Sequence, residues 1–291
     1  LTAFRAVSGA EAFSPPHVLD LSGARVTFIS GSLRYQAVEV VGSVLDQIKI
    51  RPQMRETPRG TYVLISAPFA VGEEDGEEPR TREAIAAAAG LVSAIKGGGL
   101  IFEFVFENIF DLESGELTGF TSHQRTPVAF GPPRVASEDM TVTAEAAAVL
   151  EGLDEPTQGR VALSLHWQHQ SVREEGPRNE FIAMWTGIEA LAMPDTTNVK
   201  PANELLARAY GITARKANDR FGLGRLQGFR SDILHGDSLP GVHADVLGYL
   251  RAIFTDLLLA VGLPSQGRAQ AFIEAPLFGQ GFDLARLLGN S

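Results

Sequence analysis

Arg230-Ser231-Asp232-Ile233-Leu234-His235-Gly236 closes a run of helical periodicity that begins at Leu223. Glycine readily adopts the left-handed backbone on which chains leave helices. Asp237, Ser238 and Leu239 then lead to Pro240, which cannot continue a helix, so the helix is predicted to end at the imidazole. That position matters because residues five apart on an unbroken helix point about 140° away from each other. At a helix end, His235 is expected to be free to turn back toward Arg230. A permanent planar cation and a group that titrates near neutrality would then address one ligand.

The sequence on either side is helical. Thr157 to Gln170 carries Val161, Leu163, Leu165 and Trp167, and Asn179 to Met193 places Phe181, Trp185, Ile188 and Ala192 at helical spacing. Ala202 to Tyr210 and Leu223 to Leu234 follow. A long helix from His243 to Val261 directs Val246, Tyr249, Leu250, Ile253, Phe254, Leu257 and Leu258 inward. About four or five helices with short connections predict a bundle.

The first half has a different pattern. Ala24 to Ile29, Thr61 to Pro68, Leu100 to Phe110 and Pro127 to Phe130 are short apolar or alternating runs typical of strands. Ile101 to Phe106, apolar except for Glu103, predicts a strand central in its sheet and buried on most of both faces. One Ala-rich helix, Thr81 to Lys96, interrupts the strands and stops at Gly97, Gly98 and Gly99. Phosphate-cradling glycine loops lead from a strand into a helix, the reverse of this order, so the triplet reads as a stop. Gly72 to Pro79, acidic and without apolar residues, reads as an exposed loop. Gly131, Pro132 and Pro133 form the best break. The expectation is an α+β chain, with a mixed, β-rich domain over 1–135 and an all-α bundle over 136–291.

Composition bounds the function. With 44% hydrophobic and 21% charged residues among 291, the chain can bury a core, and wholesale disorder is excluded. The absence of cysteine excludes disulfides, thiolate metal sites and a cysteine nucleophile. The nearest approach to a membrane span, Val246 to Leu263, contains Arg251 and Asp256 and is amphipathic. A cytoplasmic setting without membrane association is expected. A net charge of −10 would by itself argue against a polyanionic partner. Yet Lys200 to Arg230 holds seven basic residues against two acidic ones, while acid collects at Glu73, Glu74, Asp75, Glu77 and Glu78.

An Arg and a His separated by four to six residues is a weak pattern. With 21 Arg and 6 His in 291 residues, the three spacings together give about one accidental hit. The chain has two. Arg160 and His166 lie within a predicted unbroken helix, about 120° apart, and read as accidental. Arg230 to Gly236 has more support. Together with the upstream helix Asn179-Glu180-Phe181-Ile182-Ala183-Met184-Trp185-Thr186-Gly187-Ile188-Glu189-Ala190-Leu191, it resembles HEPN proteins, and most closely the branch related to the antiphage ApeA proteins. The resemblance covers roughly Thr157 to Leu263, and nothing before Pro133 resembles a family. It implies a helical bundle, metal-independent RNA cleavage in antiphage defence or a toxin or stress response, and a homodimer in which two motifs face one cleft. RNA is the implied partner, with no cofactor and no metal.

The residues fit that chemistry. His235 can take a proton from a ribose 2′-OH and supply one to the leaving 5′-oxygen. Arg230 suits two phosphate oxygens and the charge that grows as phosphorus becomes five-coordinate. Ser231 stands where relatives often carry Asn, Asp or His; its hydroxyl can donate to phosphate but is a poor base. Asp232 would orient the His or face solvent, and Glu189 would pair with Arg230 across the bundle or satisfy another donor; the structural readings weigh more. Trp185 reads as core. Arg208, Arg215, Lys216, Arg220 and Arg225 would guide RNA, or form a solvated helix face. His166, Trp167 and His169 read as structural, ahead of a metal or stacking site. Domain order alone makes the first domain a candidate sensor or substrate-selecting module. Two other readings are a non-catalytic HEPN module that binds RNA or a partner protein, and an enzyme with its site in the N-terminal sheet.

Overall fold

Within Ala24–Gly31 (β3), Ala24, Val26 and Phe28 are buried and Arg25 is exposed, the two-residue period of a strand with one packed face. The structure, a computed structural model, describes residues 2–6, 17–21, 23–44, 47–57, 59–68, 77–95, 102–122, 137–174, 176–235, 241–263, 267–275 and 282–289. β3 joins β1 (Thr2–Ala6), β2 (His17–Leu21), β6 (Gly60–Ser66), β7 (Phe102–Phe110) and β8 (Leu117–Ser122) in a six-stranded sheet of order β2-β3-β6-β1-β7-β8. All its pairings are antiparallel. Val26 lies opposite Ile65 and Phe28 opposite Val63, all four buried, so a one-residue slip would turn this apolar set to the other face. β7 is paired on both sides, one strand in from the edge. The strand expected at 127–130 lies outside the described residues.

β4 (Arg34–Val44) and β5 (Gln47–Glu56) form a separate hairpin. Its open end is tied by Thr57, whose N–H donates to the Leu33 carbonyl at 2.9 Å and whose hydroxyl accepts from the Leu33 N–H at 2.9 Å. Tyr35 stacks on buried Phe106 with ring centroids 4.5 Å apart.

The Ala-rich helix α1 spans Glu77–Ile95, so it starts inside the stretch read as a loop. A single cut between 135 and 136 also misplaces this helix. One compact unit is Leu1–Thr81 with Leu100–Ser137, and the other is Arg82–Gly99 with Glu138–Ser291. The cause is packing at the end of α1, where residues 88 to 95 are all buried.

The second unit also holds α2 (Ser137–Glu151), α3 (Glu155–Ser171), α4 (Pro177–Ala192), α5 (Lys200–Tyr210), α6 (Ala214–Phe221), α7 (Leu223–His235), α8 (Ala244–Ala260), α9 (Arg268–Glu274) and α10 (Leu284–Leu287), more helices than the sequence predicts. Local chemistry sets their ends. Asp154 accepts from the Thr157 N–H at 3.0 Å to start α3. Gly211 (φ 62°) and Gly222 (φ 67°) end α5 and α6 in the left-handed conformation. α8 is buried on nearly every side from Asp245 to Leu259 and forms the centre of the unit. Its fully buried Asp256 accepts from the N–H groups of Arg268 at 3.1 Å and Ala269 at 2.7 Å and from the Tyr210 hydroxyl. It thereby caps α9, whose own N-cap Gly267 has no side chain to do so. The α1 carbonyls are satisfied in the same region. Thr255 Oγ1 donates to the Ala94 carbonyl at 2.9 Å, and Arg268 Nη2 to that of Ile95 at 2.5 Å. Among the described residues, no helix is long and apolar enough to cross a membrane.

Candidate functional site

Phe181, Trp185 and Ile188 recur every three or four residues along α4 and are fully buried. Phe181 stacks on Trp185 at 6.5 Å and meets Phe229 of α7 edge-on at 5.3 Å, which seats α7 against α4. One turn after Trp185 comes Glu189. The indole Nε1–H of Trp185 donates to Glu189 Oε1 at 2.8 Å, and Glu189 Oε2 lies 3.6 Å from Arg230 Nη2. The pairing of Glu189 with Arg230 across the helices is therefore present, and Trp185 belongs to the core. The role of Trp185 as a donor is a feature that sequence reasoning missed. Its four-residue spacing from Glu189 on one helix is the signal that could have found it.

α7 stays helical through His235. Arg230 and His235 therefore keep the divergence of about 140° set by their spacing, and no hydrogen bond joins them. The expected turn back toward Arg230 within one chain is absent. Ser231, Asp232 and His235 are exposed, and Asp232 makes no hydrogen bond to His235. Gly236 lies outside the described residues.

The basic residues are all exposed, with Arg208 on α5, Arg215, Lys216 and Arg220 on α6, and Arg225 on α7. Arg220 is engaged locally. Its Nε donates to Gln270 Oε1 at 2.6 Å, and its guanidinium lies 6.0 Å and 5.7 Å from the ring centres of Tyr210 and Phe221. Arg208, Arg215, Lys216 and Arg225 form no ion pair among the described residues. Each of these four cations is therefore exposed and without an acidic partner among the described residues.

Arg160 and His166 sit on one continuous helix, where Arg160 Nη2 donates to Thr157 Oγ1 at 2.8 Å. His169 is buried, and burial, with smaller contributions from Arg173 and His166, lowers its pKa to about 3. Among the described residues, no three His, Cys, Asp or Glu side chains group as metal ligands. The His169 shift has a measurable consequence. Between its ordinary pKa of about 6.5 and its folded value of about 3, the unfolded chain binds a proton that the folded chain does not. This stabilising contribution is complete above about pH 6.5 and falls by up to about 1.4 kcal/mol per pH unit below it. Urea midpoints at pH 7 and pH 5 should show the decline, and His169→Gln should flatten it. Equal declines in both proteins would refute the assignment.

No family model, curated protein or solved structure matches this chain.

Proposed function

We propose that the chain is an HEPN-type, metal-independent endoribonuclease that acts as a homodimer in antiphage defence or as a toxin or stress effector. The observation that carries the reading is Arg230. Its guanidinium is partly exposed and makes no hydrogen bond among the described residues, and the same helix ends at an exposed imidazole. In the proposed reaction the ribose O2′–P bond forms as the P–O5′ bond breaks, leaving a 2′,3′-cyclic phosphate and a 5′-hydroxyl. One imidazole takes the 2′-OH proton and the 5′-oxygen receives one. Arg230 stabilises the charge on the phosphoryl oxygens, and the Ser231 hydroxyl donates to phosphate. Because Arg230 and His235 diverge on α7, each phosphate meets Arg230 of one copy and His235 of a second, which is the reason for a dimer. Arg208, Arg215, Lys216 and Arg225 then attract the RNA backbone. The first unit is proposed as sensor or substrate selector on domain order alone.

The test is incubation of the full chain with single-stranded RNA in chelator, with the ends of any products analysed. Cyclic phosphate ends from the wild type and none from a folded Arg230→Ala protein are expected. No cleavage of any RNA class by the wild type would defeat the proposal. The second reading is a non-catalytic HEPN module that binds RNA or a partner protein. The Glu189–Arg230 pair favours it, since the pair can simply tie α4 to α7. Loss of the dimer in an Arg230→Ala, His235→Ala protein, with no product from the wild type, is the outcome it predicts.

A further inference from the structure

Two acidic residues of α4 face two arginines, and the two pairs differ. Glu180 is hydrogen-bonded to Arg251 of α8, and their side chains are 18% and 17% exposed. That guanidinium is mostly shielded from solvent, and this desolvation lowers its pKa to about 10. The pair is closed. Glu189 and Arg230 are 24% and 31% exposed, stand 3.6 Å apart without a hydrogen bond, and leave the N–H donors of Arg230 unused among the described residues. The second pair is open. A guanidinium has five donors in a planar fork that matches two phosphate oxygens, and only one edge of this one faces a carboxylate.

Glu189 itself is not free to follow Arg230. Its other oxygen accepts from the indole of Trp185, which is fully buried and stacks on Phe181. A carboxylate tethered from below holds the cation near the surface while neutralising part of its charge. A phosphate approaching the free edge competes with that tether.

Resting on the ribonuclease reading above, we infer that Glu189 is a built-in counter-ion that RNA phosphate displaces from Arg230, and that Trp185 and Glu189 are positioning residues which aim Arg230 at the phosphate. Removing the carboxylate frees the cation, so binding tightens, but the cation is no longer aimed, so turnover falls. A pair that only holds α4 to α7 would weaken both through stability.

The experiment measures two quantities on the full chain: affinity for a 2′-O-methyl RNA oligonucleotide, which cannot be cleaved, and turnover of the unmodified RNA. Glu189→Gln is expected to tighten binding about fivefold, the worth of a partly exposed ion pair, and to lower turnover about tenfold. Trp185→Phe keeps the ring packing and removes the N–H, which lets Glu189 follow Arg230, so turnover should fall about threefold while binding does not tighten. Glu180→Gln, read on its folded fraction, should move neither. The inference is overturned if Glu189→Gln leaves affinity unchanged or weakens it as Arg230→Ala does, if Trp185→Phe leaves a measurable turnover unchanged, or if the wild type binds no RNA. A wild type that binds but cuts nothing, with the affinity order intact, defeats the ribonuclease reading alone and leaves Glu189 as the counter-ion of an RNA-binding site.

Discussion

His235→Ala is expected to lower RNA cleavage by about 10²- to 10⁴-fold, the usual worth of a positioned general acid or base, without loss of stability. The separation of the two effects follows from where the residue stands. His235 is the last residue of α7, exposed, with no hydrogen bond among the described residues, and surface changes of that kind stay within about 0.5 kcal/mol. A substrate with sulfur in place of the bridging 5′-oxygen separates its possible roles, because a thiolate leaves without being protonated. Rescue of His235→Ala by that substrate marks the imidazole as the acid. The divergence of Arg230 and His235 on one helix adds a sharper expectation. Mixed Arg230→Ala and His235→Ala chains, each inactive alone, form mixed dimers that contain one intact composite site. Random exchange should restore about a quarter of wild-type activity. No recovery after verified exchange would place both groups of the site in one chain.

Gly90→Ala is expected to destabilise the helical unit by about 3 kcal/mol, against the usual sign for a helix interior, where alanine is favoured by about 1 kcal/mol. A Cβ at Gly90 would stand 2.2 Å from the Leu165 carbonyl oxygen and 2.8 Å from its carbon. The obstacle is the backbone of α3, so no side-chain rotation relieves it; the two helices must separate and lose contact along the buried end of α1. For a chain of this size the loss amounts to roughly 10 °C in melting temperature. Gly159→Ala, on the exposed side of α3 with nothing within 4 Å, is the control and should stabilise slightly. Equal shifts for the two substitutions would show that α1 and α3 do not approach as described.

Helices announced themselves where one face is buried for several turns. Phe181, Trp185, Ile188 and Ala192 mark α4 to within two residues at each end. Strands were harder to see. β1 and β2 have five residues each, too few to establish a period. β5 contains Pro52, which argues against a strand interior; a two-stranded hairpin tolerates it because each strand keeps one unpaired edge. The affiliation of α1 was not visible at all. Its neighbours in sequence are strands, while its partners Leu165, Thr255 and Arg268 are distant in the chain. At the site, the residue types and the Glu189 pairing could be read from the sequence. The direction of His235 could not, because it depends on whether one last helical turn holds or opens.

The hydrogen bonds that fasten the end of α1 span 161 residues, from Ala94 to Thr255, and 173, from Ile95 to Arg268. Loop-closure entropy is paid before such contacts return anything, so folding of the helical unit is slow compared with a bundle of neighbouring helices. During synthesis, α1 leaves the ribosome with its alanine face uncovered and must wait for α3, α8 and α9. A chain made only as far as α7 therefore cannot complete the unit that holds Arg230 and His235, and any cleavage activity can emerge only after α8 and the start of α9 have been made.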